Sequence, residues 1–395
     1  MPLLWIINQS YFPDIDATGQ MMTDLAEDLV KNGLQVTVIT GQNQKSSPKQ
    51  EQHNGVNIFR VPVARLNKKV LLYRYLNYIS LFPSILTKAL FMPKPDYIFI
   101  VSSPPFMFLL GWLLKIVKGS KLIFNVQDLY PDIAIKLRLL RNSLLINPIK
   151  WLILQSYKRA DKLICVGEKM QDLLIKRGVP VKDLAVIHNW ADSQLLYPIA
   201  RADNYFINQA GLAGKFIIQY SGNFGMVHEI DTILQAALTL ASNPDIRFLF
   251  IGGGVQSDKI SLFIKDNNLS NITRLPFQPR KELNLSLNAC DVAIVSIKDG
   301  FEGTIVPSKL FGIMAVGKPI LAICPKETEI AYIIEEIDCG IAVRPGDVDR
   351  FVAAILDLYR DSNKLRLMGE HARELFLVKY ERKLSTKKYF ELIRT

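Results

Sequence analysis

Val292-Ala293-Ile294-Val295-Ser296-Ile297 is an almost unbroken apolar run. It leads through Asp299-Gly300-Phe301-Glu302-Gly303-Thr304-Ile305-Val306-Pro307 to Ser308-Lys309-Leu310-Phe311-Gly312-Ile313-Met314-Ala315-Val316-Gly317-Lys318, and closes on Pro319-Ile320-Leu321-Ala322-Ile323. Short apolar runs bounded by turn residues read as buried strands. Between the two runs lie a glycine-punctuated loop and a helix opening near Ser308. Strand, loop, helix and strand form the repeating unit of a parallel sheet covered on both faces.

The same rhythm runs outward in both directions. Upstream, strands are expected at 216–220, 246–251 and 272–275, with helices from His228 and Arg280 and a turn at Gly252-Gly253-Gly254. Nearer the start, strands are expected at 3–7, 35–40, 57–61, 97–101, 121–125, 162–166 and 184–187, with helices at about 19–32 and 70–91. The segment Ile187-His188-Asn189-Trp190-Ala191-Asp192, followed by Pro198, breaks the alternation. At 395 residues the chain exceeds what one core usually serves, so two domains are expected, 1–192 and 193–381. A last helix, 382–393, has no strand after it and is free to pack back onto the first domain. The fold class is α/β: two Rossmann-like, doubly wound domains with an inter-domain cleft, in which ligands bind beyond the carboxyl ends of the strands.

Composition excludes several classes. Hydrophobic residues make up 49% and charged residues 22%, which suits a globular chain. Cys165, Cys290, Cys324 and Cys339 are scattered in apolar runs and read as reduced core residues. The four histidines are equally dispersed, so no zinc motif is present and no metal is expected. Asp14-Ile15-Asp16 spells DxD, but it sits in the first strand–helix loop of a doubly wound unit and is not read as a metal site. GxGxxG is absent around the three glycines, which argues against a hydride-carrying dinucleotide.

Charge is lopsided. Residues 1–200 hold 24 Lys and Arg against 14 Asp and Glu; the remainder holds 24 against 23. Between 60 and 121 the only acid is Asp96. Such a face suits an anionic membrane surface or a diphosphate-linked lipid, so a peripheral membrane contact through 60–121 is expected. Within it, Lys68, Lys69, Arg74 and Lys88 interleave with Tyr73, Tyr75, Tyr78 and Phe82, which fits either a helix lying on a membrane or an ordinary solvated face. The apolar stretch 97–114 is interrupted by Ser102-Ser103-Pro104-Pro105 and reads as strand, turn and buried helix, not a span. No basic, apolar leader opens the sequence, so a cytoplasmic protein is expected, peripheral on the inner face of the membrane.

Chemistry concentrates in the 299–319 block. Ser308 and Lys309 open a helix whose first amide groups, with an ammonium beside them, form a site for a diphosphate, while Gly303 and its neighbours let main chain approach a ligand. The block resembles that of the family 4 glycosyltransferases of the GT-B fold, in particular the bacterial surface-polysaccharide branch of WbuB-like enzymes. The resemblance extends in order through Asn8–Pro13, Ala17-Thr18-Gly19, 34–41, Val126–Pro131, Val186–Asp192, Tyr220–Gly225 and Phe250–Gly254.

That resemblance implies a retaining glycosyltransferase of hexosyl or N-acetylhexosaminyl type. It would draw on a nucleoside diphosphate sugar, with UDP the preferred nucleotide, and need no obligatory cofactor or metal. The C-terminal domain would bind the donor; the N-terminal domain would face a lipid-linked or polysaccharide acceptor. Glu302 matches the acid near the donor sugar, and Lys309 would neutralise the leaving diphosphate. Asp128 stands where many relatives carry a histidine and could take the acceptor proton. Thr18, Gly19, Ser221, Gly222, Asn223, Gly253, Phe277, Gly303, Thr304, Ser308 and Glu329 complete the expected donor-binding set. Two positions depart from the family pattern. Gly312 stands where a glutamate commonly holds ribose, and Asn223 and His228 replace the usual basic residues, which throws the diphosphate onto Lys309. A nucleotide-sugar epimerase of similar fold and a non-catalytic nucleotide-sugar-binding subunit are the alternatives; a nucleic-acid module lacks any base-reading motif.

Overall fold

Apolar runs such as Leu4–Ile7 and Ile98–Val101 are buried on both faces, which places them inside a sheet and not at its surface. The computed structural model describes residues 1–394 except 15, 45, 67–70, 105 and 140–142; at 71, 72, 74, 75, 143 and 145 only the backbone is described. Lys68, Lys69 and the side chains of Arg74 and Tyr75 therefore lie outside the described set, as do Ile15 and Pro105. The chain forms two compact units: Met1–Asn189 with Gly303–Val306 and Lys383–Thr395, and Trp190–Glu302 with Pro307–Arg382.

Unit 1 carries β1 (Leu3–Ile7), β2 (Gln35–Gly41), β3 (Gln50–His53), β4 (Val56–Val61), β5 (Tyr97–Val101), β6 (Lys121–Val126), β7 (Lys162–Cys165) and β8 (Leu184–Val186). Their order is β3-β4-β2-β1-β5-β6-β7-β8, parallel except for β3. The direction of winding reverses between β1 and β5, and the switch point of such a sheet lies beyond those strand ends. Asp16 caps the first helix, Ala17–Lys31, by accepting the Gly19 N–H at 2.9 Å. In the last helix, Arg382–Arg394, the buried Tyr389 packs edge-on against Phe99, and its hydroxyl accepts from Asn125 Nδ2 at 3.1 Å.

Unit 2 carries β9 (Phe216–Asn223), β10 (Ile246–Gly253), β11 (Ile272–Leu275), β12 (Val292–Ser296), β13 (Ile320–Ile323) and β14 (Gly340–Val343). All pair in parallel in the order β11-β10-β9-β12-β13-β14, with the reversal between β9 and β12. Tyr220, Phe248, Phe250, Ile294 and Phe351 belong to its core cluster.

Several boundaries differ from the sequence expectation. Gly252 and Gly253 extend β10 and are not a turn, because glycine here permits close strand contact instead of reversal. The helix expected from His228 begins at Asp231, and that from Arg280 is a 3-10 turn before a short helix, Leu283–Leu287. Ser308 precedes its helix, Lys309–Ala315. Tyr97–Leu114 divides into β5 and a separate helix, Met107–Lys118; among the described residues no helix is long and apolar enough to cross a membrane. All four cysteines are buried thiols.

Candidate donor and acceptor sites

In unit 2, β9 and β10 stay paired to their last residues, with Ser221 opposite Ile251, Gly222 opposite Gly252 and Asn223 opposite Gly253. Gly222 and Gly252 have φ of +120° and +129°, a region side chains avoid. A Cβ on Gly252 would stand 2.0 Å from the Gly222 carbonyl oxygen, and one on Gly254 2.5 Å from Asn223 Oδ1. Glycine is required by the backbone approach itself, and the strand ends are left presenting main chain. The ring of Phe277, half exposed, lies 3.5 Å from where a Gly253 Cβ would be, an aromatic face beside a bare strand end.

Lys309 reaches back from the helix after β12 to this spot. Its Nζ lies 3.5 Å from the centroid of the Tyr220 ring, and its Cε would meet a Cβ at Gly222 at 3.5 Å, so Gly222 leaves the stem its room. Although the residue as a whole is half-buried, the nitrogen is fully enclosed and has no hydrogen-bond partner among the described residues. Burial alone holds this amine well below the usual lysine range. An enclosed, unpaired nitrogen is costly unless an anion joins it.

His228 explains why Lys309 stands alone. Its Nδ1 lies 2.8 Å from the Ser296 carbonyl, which only accepts, so Nδ1 carries the hydrogen. Burial, then Lys309, push the imidazole down to about 3, against the pull of the Ser296 carbonyl. The ring is neutral at physiological pH.

The other expected donor residues are placed as follows. Glu302 Oε1 accepts the Gly300 N–H at 2.7 Å, closing its own loop. Ser308 makes no side-chain cap bond. Glu329 is buried in the first turn of the helix Glu329–Ile337, which Thr328 caps. A Cβ at Gly312 would meet Leu287 at 3.5 Å and Leu196 at 3.7 Å, so this position looks onto leucines.

Gly303 and Thr304 lie in the segment Gly303–Val306, which belongs to unit 1. A Cβ on Gly303 would stand 2.8 Å from Leu173 Cδ1 and from the Lys169 carbonyl oxygen, while the Thr304 carbonyl accepts the Leu129 N–H at 3.0 Å. Ile305 forms an antiparallel bridge with Asp128. The Gly19 N–H is taken by Asp16, and a Cβ there would sit 3.2 Å from Ser10 Cβ. Thr18 lies beside it, partly buried in the same first turn.

Unit 1 gathers polar side chains at the carboxyl ends of β5 and β6. Ser102 Oγ accepts the N–H groups of Gln127 and Asp128 at 3.0 and 3.1 Å, and Gln127 Oε1 accepts from Asn189 Nδ2 at 2.9 Å. His188 Nε2 lies 2.8 Å from Glu168 Oε2, a pairing that dispersed histidines in the sequence do not signal. Burial raises the Asp128 acid to about 6, so its carboxylate is a competent proton acceptor near neutrality. Asp14 accepts from Asn43 Nδ2 at 2.6 Å and Asp16 is the helix cap, so both acids of the DxD are bound into the fold.

Residues 18–195 match the Glycosyltransferase Family 4 profile, and residues 204–375 that of Glycosyl transferases group 1. The chain is 30% identical over 305 residues to the probable glycosyltransferase WbjE of Pseudomonas aeruginosa, covering 76% of this chain and 75% of that one. The chain belongs to the family 4 glycosyltransferases. This glycosyltransferase is also 24% identical, over 88% of its length and 89% of the relative's, to the putative colanic acid biosynthesis glycosyl transferase WcaI of Escherichia coli K12. Its fold is similar to that of Anabaena Alr3699/HepE in complex with UDP-glucose, with a TM-score of 0.76 and 14% identity over 99% of each chain. The architecture is GT-B.

Proposed function

We infer that this glycosyltransferase transfers a hexosyl or N-acetylhexosaminyl group from a UDP-linked donor, with retention of configuration, to a lipid-linked or polysaccharide acceptor in surface-polysaccharide synthesis. The observation that carries the donor assignment is the enclosed Lys309 nitrogen at the switch point of unit 2, beside the bare ends of β9 and β10. A diphosphate supplies the anion this nitrogen lacks, and Phe277 offers a face for the base. The UDP-glucose complex of Alr3699/HepE supports the choice of nucleotide, and the names of WbjE and WcaI support the polysaccharide context.

In this reading 193–381 serves the donor and 1–192 the acceptor. Glu302 orients the donor sugar or steadies positive charge at its anomeric carbon. Lys309, protonated on binding, holds the leaving diphosphate. Asp128 accepts the acceptor's proton, a role the leaving phosphate oxygen can share. Ser221, Gly222, Asn223, Gly253 and Ser308 frame the donor; Glu329 and main chain are left to hold ribose. The test supplies the purified protein with UDP-sugars and a lipid extract and reads the anomeric configuration of the product by NMR. A retained linkage is expected; an inverted one removes retention, and absence of UDP binding removes the donor assignment.

A further inference from the structure

The carboxyl ends of β1, β2 and β4, which are neighbours in unit 1, border a cavity of about 100 Å³. Gln9 follows β1, Asn43 follows β2, and the strap 63–66 follows β4. Gly41, the last residue of β2, lets the walls come close: a Cβ there would stand 3.1 Å from Val63 Cγ1 and 3.4 Å from Leu81 Cδ1. The strap is pinned by the helix Leu71–Leu90. From it, buried Asn77 accepts the Leu66 N–H at 2.9 Å and donates to the Leu66 carbonyl at 3.0 Å, while Ser80 Oγ accepts the Ala64 N–H at 2.9 Å. Walls held by the fold itself are those of a pre-formed pocket.

Val63, Ala64 and Leu81 supply apolar lining; Gln9, Asn43 and Arg65 supply polar lining. Asn43 Nδ2 donates to Asp14 at 2.6 Å and to the Gln9 carbonyl at 3.2 Å, which fixes the amide and leaves Oδ1 as its acceptor. The side-chain amide of Gln9 makes no hydrogen bond among the described residues, so it brings a donor and an acceptor that the fold leaves unused. Arg65 is exposed at the rim and held by Gln42, with Nε donating to the carbonyl at 2.9 Å and Nη2 to Oε1 at 3.1 Å.

Roughly 150 Å³ admits a benzene ring, so this smaller cavity takes a substituent of a sugar and not the ring. A hydroxymethyl group would leave the apolar lining unfilled. A carboxylate or phosphate would suit Arg65, but that guanidinium is in solvent, while Asn43 Oδ1 and the Asp14 carboxylate bonded to the same amide oppose an anion inside. An acetamido group matches every part of the lining. Its methyl meets Val63, Ala64 and Leu81, its N–H faces Asn43 Oδ1, and its carbonyl faces Gln9 Nε2. The cavity is also at the same end of the sheet as Asp128. β1 and β6 are two strands apart, which is about 10 Å at the usual strand spacing and within reach of one acceptor saccharide.

We propose that this cavity is the subsite for an acetamido group on the acceptor sugar, which rests on the reading of 1–192 as the acceptor side. The test titrates the full chain, without nucleotide, with the methyl glycosides of N-acetylglucosamine, N-acetylgalactosamine, glucose and glucuronic acid, and follows binding by saturation-transfer NMR. An acetamido glycoside should bind about tenfold more tightly than methyl glucoside, the scale of a buried methyl and two hydrogen bonds, with its acetyl methyl receiving the largest saturation. That preference should be lost in Ala64→Leu, which fills the cavity, and in Gln9→Ala, which leaves the apolar lining intact, with UDP affinity unchanged in both. Equal binding of glucoside and acetamido glycosides, tighter binding of the glucuronide, a preference that survives both substitutions, or no binding of any glycoside overturns the proposal. Failure of the unaltered chain to transfer sugar from a UDP-linked donor to any saccharide strikes the acceptor reading instead and leaves the acetamido preference standing.

Discussion

The carboxyl ends of the two sheets are built in opposite ways. In unit 1 the ends of β5 and β6 are crowded with side chains that bond one another: Ser102 with Gln127 and Asp128, Gln127 with Asn189, Asn125 with Tyr389. In unit 2 the ends of β9 and β10 carry glycines, and the buried polar atom beside them, Lys309 Nζ, has no hydrogen-bond partner among the described residues. Burial acts on both ends in the same sense, raising the Asp128 acid and lowering the Lys309 amine, so each favours its neutral form. The first end is satisfied by its own fold; under the proposed function it faces the acceptor, and the second is completed by the donor's diphosphate. Buried unpaired groups of this kind concentrate at functional sites.

The contrast can be broken most severely at the glycines. Gly252→Ala drives a Cβ into the Gly222 carbonyl and is expected to cost about 3 kcal/mol or more in unit 2, seen as a lower melting temperature by calorimetry. Next comes Lys309→Met, expected to weaken UDP binding about 100-fold, the scale of one or two charge-assisted hydrogen bonds. The same variant should be more stable than the parent near neutral pH. The unfolded chain binds a proton at this amine up to its ordinary value of 10.5, while the native chain releases it earlier. Native stability therefore rises with pH across that window, and removing the amine removes the deficit.

Asp128→Asn is expected to lower turnover by about 10- to 100-fold with UDP affinity unchanged. The acid limb of the parent's rate profile, falling as pH drops through about 6, should disappear with it. Because the native acid is raised from 3.8, its stabilising contribution is present at low pH and lost as pH climbs through about 6, so the asparagine variant should gain stability at neutrality. A loss of UDP binding in this variant would erase the division of labour between the two ends. Phe277→Ala sharpens it at the smallest scale, with a loss of about fivefold in UDP affinity from a lost stacking face.

Much of this architecture was legible because buried parallel strands advertise themselves. Val292–Val295 and Ile320–Ile323 are apolar throughout, as expected of strands covered on both faces. The strand Gln50–His53 was not legible from apolar runs: Gln-Glu-Gln-His is polar, and its pairing with Val56–Val61 is announced only by Asn54-Gly55, both at positive φ in the connecting turn. Gly252 and Gly253 misled in the other direction, since glycine spelled a turn where two backbones close on each other. At the site, Lys309 stood out through its place after a glycine-rich loop. The surroundings of Gly303 and Thr304 were hidden, because the groups beside them, Lys169, Leu173 and Leu129, are far away in sequence. So was the neutrality of His228, which depends on burial and the Ser296 carbonyl. Local pattern reveals elements; the state of a titratable group depends on contacts that sequence spacing does not carry.

The most direct measurement is calorimetric titration of UDP, without metal, into the unaltered protein and Lys309→Met, in two buffers of different ionisation enthalpy above neutral pH. If Lys309 is the group that receives the diphosphate, binding should be accompanied by proton uptake and weaken as pH rises, and the variant should lose both the affinity and the proton. Full UDP affinity in Lys309→Met would contradict the account.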